Sequence, residues 1–352
     1  MAKQQWKVFF EGDFWYHSGR DHAGKELRTE KKFEWAGHEW RIPAVYCCGK
    51  GLAVDFCMRA GRAALRTFMD KWKLPGNPAP ELPKEGRMRL ERDNPLTLGF
   101  RPHIFCNGKE LTLSKRCSVS FQPYLEEIQD MREAKAAMEH YGLSDDCGWT
   151  VTRAFFKWDT KRRPEIRELA LRMEQIPVSV PGERFTANKT GDCVRIIHPK
   201  SRESYTLIVR EYARRELEEQ YAERDGWEYP RHFDVMGYTV EPEAGKITLE
   251  DCFDGDPARK KPAEKEDPFK PAAICSRACI ALSEAGDAVF TGENGALRLN
   301  RVCSSVRFAP VLQVEWLPVF HIREFEDHAE NLIETAIFPP PPFSTKISVP
   351  VC

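Results

Sequence analysis

The chain has 352 residues, 41% hydrophobic and 30% charged, with 21 Phe, 9 Trp and 9 Tyr; this composition excludes wholesale disorder and supplies enough apolar surface for a core. Its 53 Lys and Arg face 54 Asp and Glu, so the net charge of -1 lacks the cationic excess on which non-specific nucleic-acid binding draws. No apolar run reaches the length of a membrane helix and the first ten residues hold no secretory core, so a soluble chain in the cytoplasm is expected, its 12 cysteines reduced and packed as small hydrophobes.

The first sixty residues are dense in aromatics, among them Trp6, Phe14, Trp15, Trp35 and Trp40. Aromatic and β-branched side chains favour a pleated, half-buried surface, so strands are expected. Two hairpins are predicted, one turning at Ala36-Gly37 and one at Gly49-Lys50-Gly51, where glycine supplies the positive φ that tight turns require. In the second, Cys47 is expected near Ala53, with Cys57 opposite Pro43.

Leu65, Phe68, Met69 and Trp72 recur at helical spacing and predict a helix from Arg62 that stops before Pro75-Gly76. After the Pro-rich connector Leu74 to Lys84, Asn107-Gly108 marks a third hairpin. Pro123 reads as a helix start, with Tyr124, Ile128, Met131 and Met138 on one face and Gly142 as the stop. Ile166, Leu169 and Met173 suggest a shorter helix from Pro164 to before Pro177, and the charge-dense run Glu211 to Arg224 is read as helical.

Between those last two lies a meander through Phe185, Val194/Ile196 and Tyr205/Leu207/Val209. Residues 254–272 are charged and proline-containing, with almost nothing to bury, and read as a linker or insertion. Further strands are expected from Val289 to Ile322, and Pro339 to Pro342 begin an extended tail. The expected fold class is α+β, mostly antiparallel β-sheet of hairpins and meanders with a few amphipathic helices. Length favours two domains, since single cores stop growing near roughly 250 to 300 residues. They are placed at 1–175, aromatic-rich, and 176–338, β-rich, followed by a tail at 339–352.

The catalytic and metal motifs each fail at a definite position. Gly49-Lys50-Gly51 lacks the flanking residues of a phosphate-binding loop, and His38-Glu39 has no second histidine four residues after the first. Cys275 and Cys279 lack a third thiol at Leu282, and Asp254-Gly255-Asp256 lacks the remaining oxygen ligands of a calcium loop. His17 and His22 with Asp13 and Asp21, and His321 and His328 with Glu324, Glu326 and Asp327, read as solvated loops. No cofactor or metal is expected.

Three functions remain. The leading one is a non-enzymatic binding or scaffold protein whose aromatic face, with Trp6, Trp15, Trp35 and Trp40 as candidates, holds a protein or peptide partner. The alternative is an enzyme with an inter-domain site gathered from His198, His232, Asp234 and Glu211. The third is single-stranded nucleic-acid binding, through Lys161-Arg162-Arg163 beside Phe155, Phe156 and Trp158 and through Arg259-Lys260-Lys261.

Overall fold

The computed structural model describes residues 6–10, 12–17, 20–74, 82–125, 130–160, 163–218, 223–224, 226–242, 247–253, 255–260, 288–292, 295–325 and 328–330. The fold is β-rich and its strand pairs are antiparallel, with three helices among the described residues: α1 (Arg62–Trp72), α2 (Lys84–Asp93) and α3 (Arg132–Tyr141). The chain divides into two compact units. The first takes Met1–Pro78, Asp93–Pro177 and Arg323–Cys352, and the second takes Ala79–Arg92 and Val178–Ile322.

Eight strands carry most of the first unit: β1 (Lys25–Trp35), β2 (His38–Cys47), β3 (Gly51–Ala60), β4 (Phe100–Cys106), β5 (Lys109–Glu110), β6 (Thr112–Phe121), β7 (Gly148–Lys157) and β8 (Leu169–Gln175). One sheet has the order β1-β2-β3-β7-β6; in the other, β8-β4-β5 is extended at the β8 edge by the strand His328–Glu330. Side chains alternate across a strand, so the five-stranded sheet buries both faces. Leu52, Val54 and Phe56 meet Ile104, Leu171 and Met173 of the other sheet, while Ala53, Cys57, Val151 and Phe155 meet Val8, Phe10 and α3.

The three predicted hairpins in this unit form. Ala36 and Gly37 take φ of 52° and 75°, and Asn107 and Gly108 take 52° and 80°, the left-handed pair that twists two strands into a tight hairpin. In the second hairpin, however, Cys48 N–H closes the turn on Gly51 O at 2.9 Å, so Cys47 faces Leu52, and a register shift between Arg41 and Val45 then sets Cys57 opposite Arg41. An irregularity of that kind leaves no mark on an alternating apolar pattern.

Helix α1 follows its prediction: it buries Leu65, Phe68 and Met69 and ends at a left-handed Lys73. Helix α3 starts at Arg132 rather than at Pro123, because Gln122 to Leu125 close a turn through Leu125 N–H to Gln122 O at 3.1 Å; Ile128 lies outside the described residues. The expected helix Pro164 to Ile176 is strand β8. Its Leu169, Leu171, Met173 and Gln175 are buried in strict alternation, and the period of two overrides the helical spacing of Ile166, Leu169 and Met173.

In the second unit the run from Glu211 likewise continues a strand, Ser204–Glu216, which pairs with Cys193–Ile197 on one side and His232–Glu241 on the other. A second sheet is centred on Glu315–Ile322, and Leu207, Val209, Met236, Trp316 and Phe320 share the core. Of the charged stretch 254–272, residues 255–260 are described, and Arg259–Lys260 form a short strand. The tail 339–352, Lys161, Arg162, Lys261, Cys275 and Cys279 lie outside the described residues.

Candidate functional site

The centre of the α3-facing side of the first sheet is charged. Strand register sets Asp55 of β3 directly opposite Arg153 of β7, and both side chains are buried, at 0% and 2% exposed. The guanidinium grips the carboxylate side-on, Nε to Oδ1 and Nη2 to Oδ2, both at 2.7 Å. A bidentate, charge-assisted pair is the geometry that offsets the desolvation of two buried ions. Three rings close around the cation, with Phe14, Trp6 and Tyr46 centred 4.3, 5.3 and 5.7 Å from its central carbon.

Asp55 also terminates a directional chain of hydrogen bonds. Tyr141 of α3 donates to Oδ2 at 2.5 Å, which leaves its oxygen to accept from Tyr46 at 2.6 Å, and Tyr46 accepts in turn from Trp6 Nε1 at 2.9 Å. Bonds that all point toward one anion polarise each other. Burial first, and then the charge of Asp55, raise the pKa of both phenols, so they stay protonated donors.

At its outer end the chain reaches His140. The imidazole stacks on Trp6 at 4.9 Å, and its Nε2 lies 3.0 Å from Glu26 Oε2, 3.1 Å from Arg28 Nη2 and 3.5 Å from the Tyr46 hydroxyl. One nitrogen cannot donate to Glu26 and accept from Arg28 at once, so the protonation state of the ring selects its partner. Burial lowers the pKa of His140 against the opposing pull of Glu26, and Arg28 lowers it further.

This network locks residues 6–10 and 12–14 onto the sheet. Val8 and Phe10 are core residues, and Trp6 and Phe14 cover Arg153. Beyond Phe14 the backbone turns back: Asp13 Oδ1 accepts from Trp15 N–H at 2.8 Å and Tyr16 N–H at 2.6 Å, and Asp13 N–H reaches Tyr16 O at 3.0 Å. The turn leaves the Trp15 and Tyr16 rings in water, at 57% and 68% exposed.

The four candidate tryptophans therefore separate. Trp35 and Trp40 are core residues joined by Trp40 Nε1 to Trp35 O at 3.0 Å, Trp6 belongs to the network, and Trp15 is displayed. In the second unit, His232 and Asp234 line one depression with Arg214, Ser304 and Arg307. Asp234 is held there by Arg214 at 2.9 Å. His198 sits beside the Ser204 end of the strand whose Glu216 end faces His232, and Glu211 is ion-paired to Arg301 at 3.1 Å in between. Those ends are separated by roughly 40 Å of extended chain.

Of the aromatics beside the basic triplet, Phe155 and Phe156 are fully buried and Trp158 donates to Cys48 O at 3.1 Å. Arg259 is paired with Glu228 at 2.8 Å. Burial pushes the thiols of Cys47 and Cys48 up to about 11 and 12. Among the described residues, no three His, Cys, Asp or Glu side chains group to hold a metal ion.

Asp55, Arg153, Tyr46, Tyr141, His140 and Glu26 were not singled out from the sequence. A signal for two of them exists: Asp55 lies between Ala53 and Cys57, and Arg153 between Val151 and Phe155, each a charge in the buried phase of an apolar strand. Compared with protein-family models, curated proteins and solved structures, the chain shows no match.

Proposed function

We propose that the chain is a non-enzymatic binding protein that takes a protein or peptide partner on the turn carrying Trp15 and Tyr16. The observation that carries this reading is the locked display of two large aromatics: the backbone is fixed by Asp13, the preceding Phe14 is clamped on Arg153, and the following rings stand in solvent. Tryptophan and tyrosine are the side chains that most often dominate binding energy, and a turn already held in place loses little entropy when a partner arrives. We further read the chain as an α+β protein of the reducing cytoplasm, in keeping with the nine described cysteines, all free thiols.

The test is selection of peptides from a random display library on the full chain, followed by affinity measurement against the Trp15→Ala/Tyr16→Ala double variant. The expected result is at least tenfold weaker binding, roughly 1.4 kcal/mol or more, with an unchanged thermal midpoint. Selected peptides that bind the double variant as well as the parent would overturn the proposal.

A further inference from the structure

Between β6 and α3, the turn Gln122 to Leu125 places Tyr124 against the small cluster of Ala60, Leu65 and Leu96, with its hydroxyl at the surface. Two cations converge on that oxygen. Arg62 Nε donates to it at 3.1 Å and Arg66 Nε at 3.0 Å, from positions four apart on one face of α1, and the Arg66 guanidinium lies 5.8 Å from the ring centre. Each arginine spends a single N–H on the phenol. Among the described residues, neither guanidinium has a carboxylate within ion-pair distance, Asp146 acting on Arg62 only from farther off, and the first turn of α1 has no acidic residue.

Two positive charges focused on a neutral acceptor are an arrangement short of one anion. Burial opposes ionisation of the phenol, but the bonds from Arg62 and Arg66 outweigh it and lower its pKa. A guanidinium offers paired donors that match phosphate oxygens, and a phosphoryl group brings three strong acceptors and nearly two negative charges.

We propose that Tyr124 is a phosphorylation site whose phosphate is held by Arg62 and Arg66. The donor is a nucleoside triphosphate on a tyrosine kinase. The Tyr124 oxygen attacks the γ-phosphorus, the new O–P bond forms as the bond to the β-phosphate oxygen breaks, the phenolic proton passes to the kinase base, and nucleoside diphosphate leaves. The exposed arginine side chains then turn from the phenolic oxygen to the phosphate oxygens. The product ties the β6–α3 connection to α1 by charge where a neutral hydroxyl did so before.

The experiment treats the full chain with a nucleoside triphosphate and a broad-specificity tyrosine kinase, maps the modified tyrosines by peptide mass, and follows the Tyr124 phosphate by phosphorus NMR as pH is varied. Tyr124→Phe identifies its resonance. Phosphate is expected on Tyr124, with a second ionisation constant at least threefold above that of free phosphotyrosine, whose pKa is about 6. In the Arg62→Gln/Arg66→Gln variant that constant returns to the free value. Absence of phosphate from Tyr124, or a constant that the double variant leaves unmoved, overturns the proposal.

Discussion

At the scale of single residues, the chain sets its most expensive group in the middle of a sheet face and satisfies it completely. Asp55 accepts two bonds from Arg153 and one from Tyr141, so replacing either member of the ion pair strands the other in a buried site. Asp55→Asn keeps the shape and removes the charge; a loss of about 3–5 kcal/mol in unfolding free energy by urea denaturation is expected. The double variant Asp55→Leu/Arg153→Met, which leaves no orphan charge, is expected to recover most of that loss. Equal destabilisation in the single and double variants would show that shape rather than charge governs the site.

His140 gives the pH dependence of the same network. Its folded pKa is lowered by burial and by Arg28 against the pull of Glu26, so below the ordinary histidine value of about 6.5 the unfolded chain binds more protons than the folded one. The stability due to neutral His140 is therefore present above that value and lost as pH falls through it. His140→Gln is expected to flatten the dependence of the urea midpoint on pH between about 7 and 5, where histidine titrates. An unchanged slope would remove His140 from the account. Asp55 and Arg153 were open to discovery in the sequence as charges in buried phase, whereas His140 and Glu26 were not. Their partnership spans 114 positions and depends on where α3 docks.

At the scale of elements, the hairpin turns were legible because their chemistry is local, and the choice between helix and strand was not wherever a segment satisfied both periods. Asn107 shows what decided one such case. Besides its left-handed backbone, its Oδ1 accepts from Arg167 N–H at 2.8 Å and Glu168 N–H at 3.0 Å, and its Nδ2 donates to Glu165 O at 2.8 Å. Those bonds take up backbone groups that a helix over Pro164 to Ile176 would use, and they deliver Leu169 into β8 beside Cys106. Asn107→Gly keeps the turn and deletes all three bonds. It is expected to cost about 1–3 kcal/mol and to raise amide exchange at residues 165–169, measured by mass spectrometry. Protection unchanged there would mean that β8 holds its position without the asparagine.

At the scale of the whole molecule, the path of the chain is not linear in its units. Residues after Arg323 return to the first unit, where Arg323 pairs with Glu174 at 2.7 Å and the fully buried Gln175 accepts from Glu324 and Phe325 N–H, both at 2.8 Å. The short strand His328–Glu330 then pairs with Leu171 to Met173. Nothing in the composition of that stretch announces it, because three residues of ordinary sequence acquire their role only by reaching an open edge of β8. Ala329→Pro tests the assignment in the intact chain, since proline removes the backbone donor at 329 and fixes φ against the ladder opposite Arg172. Faster amide exchange is expected along β8 and β4, with the exchange of Ser204–Glu216 in the second unit as in the parent. If the acceleration fell on the second unit and spared β8, the returning segment would belong to the unit it leaves rather than to the one it joins.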